Sequence, residues 1–106
     1  MRVVVEGDLR ELILTGQNRK YRDISRNPIL MNGLHRVVQL MMSARAADDL
    51  ASFSFLHYEK LKYGLSGLSS VRLSNHYVHR LIFEEKEDRI SLKLIEIDST
   101  HYGNKK

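Results

Sequence analysis

Apolar residues recur at helical spacing near the start of the chain. A β-branched run, Val3-Val4-Val5, predicts a short strand, and an apolar face beginning at Leu9 follows it at intervals of three and four residues. The motif from Asp8 to Glu11 matches a capping box, and Gly16 stands where a left-handed C-cap is favoured. The pattern therefore predicts a strand followed by a helix of two to three turns.

A longer helical pattern begins at Asn27-Pro28. Asn27 suits the N-cap, and Pro28 suits the first helical position, where its missing N–H costs nothing. Gly33 in the interior predicts a close approach to the sheet. The predicted buried stripe comprises Leu30, Leu34, Val37 and Met41. It is widened by Ile29, Val38 and Leu40. Met42 is interpreted as a residue that fills the core. The pattern fades near Ser43, and residues 46–50 predict one further turn.

From Phe55 onward the apolar spacing changes to two, which is typical of strands. The predicted strands are Leu56–Leu61, Leu68–Leu73, His79–Glu84 and Ile90–Ile97, running as consecutive antiparallel neighbours. The last is apolar at both parities, with Leu92 and Leu94 on one face and Ile95 and Ile97 on the other, which favours a central position. We predict an α+β fold in one domain, 1–106, with an N-terminal strand and two helices packed on one face of a twisted antiparallel sheet.

Alternation within these strands directs two arginines away from the helices. Arg72 lies between apolar residues that are expected to face the core. On the next strand, Leu81 and Phe83 face one side, while Arg80 and Ile82 face the other. The sequence therefore predicts a basic sheet face opposite the helices.

Composition excludes several classes of protein. The 106 residues include no cysteine, so the chain has no disulfide framework, no thiolate nucleophile and no cysteine-type zinc site. No apolar run reaches the roughly 18 residues of a membrane span, and the first residues are too short an apolar run for a secretory signal. We expect a cytoplasmic protein without a membrane partner. The formal net charge of +4 is compatible with an anionic partner.

Histidines and carboxylates do not form a metal-binding pattern. His76 and His79 straddle a predicted hairpin, and His79 is expected to point toward the core, away from His57 and Glu59. No glycine-rich phosphate loop, nucleophile elbow or zinc-protease signature is present. We predict neither a metal nor another cofactor.

A polar segment from Gln17 to Arg26 separates the two predicted helices. It lacks periodicity and carries Arg19, Lys20, Arg22 and Arg26 against Asp23 alone. It is interpreted as a connecting loop. Two readings stay open: a solvated linker, or a mobile basic segment that neutralises phosphates.

The second half contains a series of short motifs in a fixed order. They are Glu-x-Leu-Lys at 59–62, Ser-Gly at 66–67, Ser-x-Arg at 70–72, Arg-Leu-Ile-Phe at 80–83 and His-Tyr at 101–102. This series, within Leu56–Tyr102, resembles the RelE/ParE superfamily of type II toxins, in particular its YoeB-like and HigB-like (host inhibition of growth, "killer protein") branches. The fold that the resemblance implies agrees with the α+β arrangement.

The resemblance implies ribosome-dependent cleavage of mRNA without a metal. The 2′-hydroxyl of one nucleotide attacks the adjacent phosphate and gives a 2′,3′-cyclic phosphate and a free 5′-hydroxyl. The family pattern makes Glu59 the base, and Arg72 and Arg80 the phosphate ligands with Lys62 assisting. His101 is the corresponding acid, and Tyr102 stacks on or orients a base. Further RNA contacts are expected from Lys60, His57, Arg19, Lys20, Arg22 and the terminal Lys105-Lys106.

Among the departures from the family pattern, two affect the geometry of the candidate site. Strand parity puts Glu59 and Lys62 on opposite faces, so a bulge or the strand end must bring them together. The hairpin Ser74–Val78 is longer than in relatives, which leaves the register of Arg80 for a structure to decide.

The partners implied are a cognate antitoxin, the 70S ribosome and mRNA, with a homodimer or a toxin–antitoxin hetero-oligomer as possible assemblies. Two alternatives stay open: a ParE-like, non-catalytic inhibitor of a DNA topoisomerase, and a catalytically inactive RNA-binding module. The pairing of Glu59 with His101 favours the nuclease, because a pure inhibitor needs no acid and base beside its arginines.

Overall fold

The computed structural model of the chain describes residues 1–62 and 67–97. The N-terminal elements are β1 (Arg2–Val4), α1 (Gly7–Thr15), α2 (Arg22–Ser25) and α3 (Pro28–Ser43). Two 3-10 helices follow, Ala47–Ser52 and Ser54–Leu56, the first of them on the turn predicted at 46–50. The remaining strands are β2 (Glu59–Lys60), β3 (Leu68–Arg72), β4 (His79–Glu85) and β5 (Arg89–Ile97). The sequence candidates His101, Tyr102, Lys105 and Lys106 lie outside the described residues.

The five strands form one sheet in the order β1-β5-β4-β3-β2. Strands β2 to β5 are antiparallel neighbours, as predicted, and β5 lies between β1 and β4 in the predicted central position. The predicted α+β class is confirmed. The sheet is mixed rather than purely antiparallel, because β1 joins it parallel to β5, with Val3 opposite Ile90. A parallel pair needs a long connection between its strands, and the intervening helices and strands supply it.

Helix α3 has the predicted start and the predicted buried stripe. The Asn27 side chain accepts hydrogen bonds from the backbone N–H groups of Ile29 and Leu30, at 3.0 and 3.2 Å. Residues Leu30, Leu34, Val37 and Met41 are all buried. The side chains of Ile29 and Met42 are exposed, so their assignment to the core was wrong. Ile29 and Met42 each adjoin a residue of the stripe in sequence, but the rotation of the helix places their side chains on its solvent-exposed side.

Gly33 lies where α3 touches the sheet. A Cβ atom built on Gly33 would stand 2.0 Å from the carbonyl oxygen of Leu73. That separation is far below van der Waals contact, so only glycine fits. The predicted close approach is confirmed, and Leu73 is its partner.

The beginning of α1 and the segment after it differ from the sequence interpretation. Glu6 is the N-cap residue and makes no side-chain cap, so the predicted capping box is wrong. Asp8 and Glu11 instead both accept hydrogen bonds from the Asn18 side-chain amide, at 3.1 and 2.7 Å. Gly16 does adopt the predicted left-handed conformation, with φ 78°.

Residues 17–26 are not simply a connecting loop. They contain the short helix α2, and Tyr21 and Ile24 are buried. The Tyr21 hydroxyl accepts a hydrogen bond from the backbone N–H of Ile95 on β5, at 3.3 Å. The buried Asn18 side chain accepts one from the Tyr21 backbone N–H. Tertiary contacts therefore order a segment that shows no apolar periodicity.

The predicted strand Leu56–Leu61 is wrong over its first half. Leu56 ends a 3-10 helix, and His57 has a left-handed backbone with φ 50° and ψ 46°. Only Glu59 and Lys60 form the strand, and the Leu61 backbone N–H extends the pairing to the Leu68 carbonyl at 2.9 Å.

A β-bulge at Lys93 changes which face of β5 meets the helices. Leu92 lies opposite Phe83, and Leu94 lies opposite Ile82, so Lys93 is not paired in register with any residue of β4. Leu92 therefore faces the core, while Leu94 faces the other side. The prediction that both share one face was wrong, because parity is reversed at a bulge.

No helix of residues 1–62 and 67–97 has the length and apolar character needed to cross a membrane.

We expect Gly33→Ala to destabilise the fold, although alanine normally favours a helix interior by about 1 kcal/mol over glycine. The added methyl would overlap the Leu73 carbonyl, and overpacking of this kind costs roughly 1–3 kcal/mol or more. Urea denaturation measures the free energy of unfolding. The control is Asn32→Ala at the neighbouring exposed position, which we expect to be neutral or mildly stabilising. A gain in stability for Gly33→Ala would refute the close approach.

His79 makes stability depend on pH. It is partly buried beside the Tyr77 ring, and its Nδ1 has no hydrogen-bond partner among the described residues. Burial lowers its pKa, although Asp23 opposes the shift. A depressed histidine pKa contributes stability above the unfolded value, about 6.5, and this stability is lost as the pH falls toward the folded value.

We therefore expect His79→Gln to flatten the decline in the free energy of unfolding between about pH 8 and pH 5. The control is His35→Gln, an exposed histidine on α3. Equal slopes for His79→Gln and the wild type would contradict the burial argument.

Candidate active site on the distal face of the sheet

The sheet face opposite α1 and α3, called here the distal face, carries a row of three charged residues. Arg72 on β3 lies directly opposite Arg80 on β4, and Arg80 lies directly opposite Glu96 on β5. Directly paired residues share one face and have Cβ atoms about 4.5–5.5 Å apart. The longer hairpin thus leaves the two arginines side by side.

Arg80 is held by a carboxylate. Its Nη2 and Nε atoms both donate to Glu96 Oε2, at 2.6 and 3.1 Å. The Arg80 side chain is only 10% exposed, whereas that of Glu96 is 37% exposed. A guanidinium carries its charge at every relevant pH, so a nearly buried one requires a partner of opposite charge. Glu96 also offsets the repulsion between Arg72 and Arg80.

Arg72 points along the sheet toward the β3–β4 hairpin. It is partly exposed, and its Nη1 donates to the Tyr77 carbonyl at 3.4 Å. The planar, forked guanidinium suits bidentate recognition of a phosphate.

Glu59 is on the same face as the two arginines. It lies opposite Ser70 on β3, and Ser70 in turn lies opposite Ile82 on β4. Arg72 is therefore the diagonal neighbour of Glu59, about 7–8 Å away between Cβ atoms. Glu59 is exposed. The register thus brings a carboxylate and two guanidinium groups together, as the sequence interpretation required.

Tyr58 determines the direction in which Glu59 points. Its hydroxyl donates a hydrogen bond to Glu85, which also accepts one from the Ser69 hydroxyl at 2.6 Å. Its ring packs 6.3 Å from that of Phe83, between centroids. Burial first, and then the Glu85 carboxylate, raise the pKa of Tyr58. Because Tyr58 is anchored on the helix side, alternation turns Glu59 to the distal face.

Three other candidates near β2 do not join this group. Lys60 points to the helix side and forms an exposed ion pair with Asp48 at 3.8 Å. Lys62 is exposed beyond the end of β2 and forms no ion pair with Glu59 within residues 1–62 and 67–97. His57 is exposed, with its Nε2 3.2 Å from Asn75 Oδ1. It lies beside Arg72 across a small cleft.

The basic candidates Arg19, Lys20 and Arg22 lie in the helical layer rather than on the distal face. Arg19 and Arg22 line an open groove together with Arg26 and Glu11. The Lys20 ammonium lies 5.5 Å from the centre of the Tyr21 ring, and Tyr21 is buried in the core that the helices and the sheet share. The structure therefore separates this basic group from Glu59 and the two arginines.

Glu96 is the member of the row that the sequence interpretation missed. Residue alternation along β5 predicts that Glu96 faces the distal side, but only if the alternation is counted again from Leu94, after the bulge at Lys93. An uninterrupted count from Leu92 puts Glu96 and Leu92 on the same, core-facing side, where a charge would not be sought.

We expect Glu96→Gln to reduce the free energy of unfolding by about 1–2 kcal/mol, because a charge-assisted pair to a buried guanidinium becomes an ordinary hydrogen bond. Urea denaturation measures the change. Glu87→Gln, at an exposed turn position, is the matched control and should change stability by less than about 0.5 kcal/mol. An equal effect of both substitutions would show that the pair contributes nothing.

Comparisons with known proteins place this arrangement in a known fold. No protein-family model matches the chain, and no curated protein matches it in sequence. YafQ from E. coli strain BL21(DE3) is similar in structure, with a TM-score of 0.62, 13% identity, and coverage of 97% of this chain and 100% of YafQ. A YoeB/ParE toxin from Agrobacterium tumefaciens gives a TM-score of 0.53 and 13% identity, over 92% and 98% of the two chains. The chain therefore has the fold of YafQ and of this YoeB/ParE toxin, which confirms, at the level of the fold, the resemblance inferred from residues 56–102.

Proposed function

We propose that this protein is the toxin of a type II toxin–antitoxin pair and cleaves mRNA on the ribosome. The observation that carries the proposal is the cross-strand register that brings Glu59, Arg72 and Arg80 to one face of the sheet. The structural similarity to a protein described as a YoeB/ParE toxin supports the same class of function.

Each of these groups has a role in the proposed reaction. The Glu59 carboxylate takes the proton of a 2′-hydroxyl, and the resulting oxygen attacks the neighbouring phosphorus. The Arg72 and Arg80 guanidinium groups offset the charge that develops on the phosphate oxygens. The bond from phosphorus to the 5′ oxygen breaks, giving a 2′,3′-cyclic phosphate and a 5′-hydroxyl. Glu96 keeps the Arg80 guanidinium in a fixed orientation before substrate arrives.

Two further roles come from the resemblance alone. His101 donates the proton that the departing 5′ oxygen requires, and Tyr102 stacks on or orients a base. Both residues lie outside the described part of the chain. Lys62 lies exposed beyond the end of β2 and remains a candidate to assist the two arginines.

The proposed partners are the 70S ribosome with its mRNA, and a cognate antitoxin that neutralises the distal face. The formal charge of +4 favours association with RNA and with an acidic segment of an antitoxin. A homodimer and a toxin–antitoxin hetero-oligomer are both compatible with this scheme.

A second candidate function is ParE-like inhibition of a DNA topoisomerase. The similar structure from Agrobacterium tumefaciens is described as a YoeB/ParE toxin, which spans both kinds of toxin. Such an inhibitor acts by binding and requires no base beside its arginines. Glu59 is therefore the residue that separates the two candidates.

We expect Glu59→Gln to slow mRNA cleavage on programmed ribosomes by about 10²- to 10⁴-fold, the usual contribution of a general base. Arg72→Ala should cost about 10²- to 10³-fold, because a charge-stabilising donor is lost. The measurement is the single-turnover rate at saturating toxin, with cut sites mapped by primer extension.

Glu87→Gln is the control and should cleave at the wild-type rate, because Glu87 lies in the exposed β4–β5 turn. Unchanged cleavage by both Glu59→Gln and Arg72→Ala would reject the assignment. Intact mRNA, together with loss of topoisomerase activity and an early arrest of DNA synthesis, would establish the ParE-like alternative instead.

A further inference from the structure

A cleft of about 500 Å³ opens beside the candidate active site, at the end of the β3–β4 hairpin. We call it the hairpin cleft. It is lined by His57, Arg72, Asn75, His76, Tyr77 and Val78. Its volume is within the roughly 300–1,000 Å³ of small-ligand pockets.

The hairpin cleft continues the row of the active site. His57, two residues before Glu59, lines the cleft together with Arg72. Arg72 belongs to both the row and the cleft. It lies opposite Arg80 in the row, and its guanidinium donates to the Tyr77 carbonyl at the edge of the cleft. A phosphate bound by Arg72 and Arg80 would therefore have the cleft as its immediate neighbour.

The backbone at His57 is specialised at this point. Among the described non-glycine residues, only His57 has a positive φ, 50°. This conformation is unfavourable for a residue with a Cβ and is retained where the surroundings fix it, often at functional sites. Here it ends the 3-10 helix and turns the imidazole toward Asn75, with His57 Nε2 and Asn75 Oδ1 3.2 Å apart. The two side chains thus close one end of the cleft.

The lining has the chemistry of a nucleobase site. Single-stranded RNA bases are recognised by stacking on aromatic or guanidinium planes and by hydrogen bonds to their edges. His76 is exposed and offers a flat imidazole, while the Asn75 side-chain amide can donate to a base edge. None of the six lining residues is acidic, so nothing in the lining repels a phosphodiester chain.

We propose that the hairpin cleft holds the nucleobase adjacent to the scissile phosphate, with His76 stacking on it and Asn75 reading its edge. This inference rests on the proposed RNA-cleaving function and deepens it, since it assigns a specificity subsite to the same face. The cleft then determines which nucleotide lies beside the phosphate held by Arg72 and Arg80.

The test uses the full chain and RNA trinucleotides that carry a 2′-O-methyl group at the attacking position, so that they bind without being cleaved. One trinucleotide is intact, and two others each lack one of the two bases that flank the phosphate. NMR titration gives the dissociation constants. We expect the wild type to bind one of the abasic trinucleotides about 5- to 150-fold more weakly than the intact one, the range of base stacking.

His76→Ala should weaken binding of the intact trinucleotide by a similar factor and have no further effect on that abasic one, because both changes remove the same contact. Asn75→Ala should change the preference among bases at this position. His35→Ala, an exposed histidine on α3, is the matched control and should bind as the wild type does. Both cleft residues are exposed, and unfolding curves will confirm that the variants are folded.

The inference is overturned if His76→Ala and Asn75→Ala bind all three trinucleotides as the wild type does, or if the wild type binds none of them. These results are independent of the catalytic assignment. Unchanged cleavage by both Glu59→Gln and Arg72→Ala would overturn the proposed reaction while leaving the wild-type trinucleotide affinities as they are.

Discussion

A guanidinium held in a nearly buried position organises the distal face. The Arg80 side chain is 10% exposed and bears a permanent charge, so an unpartnered arginine there would be strongly destabilising. Glu96 supplies the carboxylate, and it can do so only if β4 and β5 keep the register that sets the two residues opposite each other. The same strand alignment carries Arg72 to the other side of Arg80. One electrostatic requirement therefore constrains the register of β4 and β5, and the pairing of β3 with β4 adds Arg72 to the same row.

The opposite face is fixed by packing rather than by charge. Gly33 lets α3 approach until its backbone meets the Leu73 carbonyl, where even a methyl group would not fit between helix and sheet. Tyr58 is tied to Glu85 on this side, at the edge of the core. Successive side chains of a strand point to opposite faces of the sheet. A residue that packs against the helices therefore leaves the next residue on the distal face. The position of Glu59 is thus a consequence of how Tyr58 packs.

Local rules in the sequence predicted much of this fold, and they failed where distant contacts decide. The start of α3, its buried stripe and three of the four later strands follow from capping chemistry and periodicity, which act within a few residues. The capping motif at Asp8 failed because the helix begins at Gly7, and both carboxylates of the motif accept from the distant Asn18 amide. Helix α2 was not predicted because its segment is ordered by a distant contact, the hydrogen bond between the Tyr21 hydroxyl and β5. Glu96 was missed because the bulge at Lys93 reverses parity without any marker residue. The shared face of Arg72 and Arg80 was predicted correctly because the segments of β3 and β4 that carry them have no such interruption, whereas Glu59 was proposed from the family resemblance.

The basic groove in the helical layer gives the proposed function a second RNA-binding surface to account for. Arg19, Arg22 and Arg26 line it, and they belong to the layer that covers the opposite side of the sheet from Arg72 and Arg80. A short RNA strand on the distal face would not reach through the sheet to this groove. A large RNA surface that surrounds the protein would reach the groove. Its phosphates would position the protein there without any reading of sequence. On this scheme the distal face performs the reaction and the helical layer supplies salt-sensitive affinity for the ribosome. Neutralising the groove should then weaken docking while leaving the choice of nucleotide to the hairpin cleft.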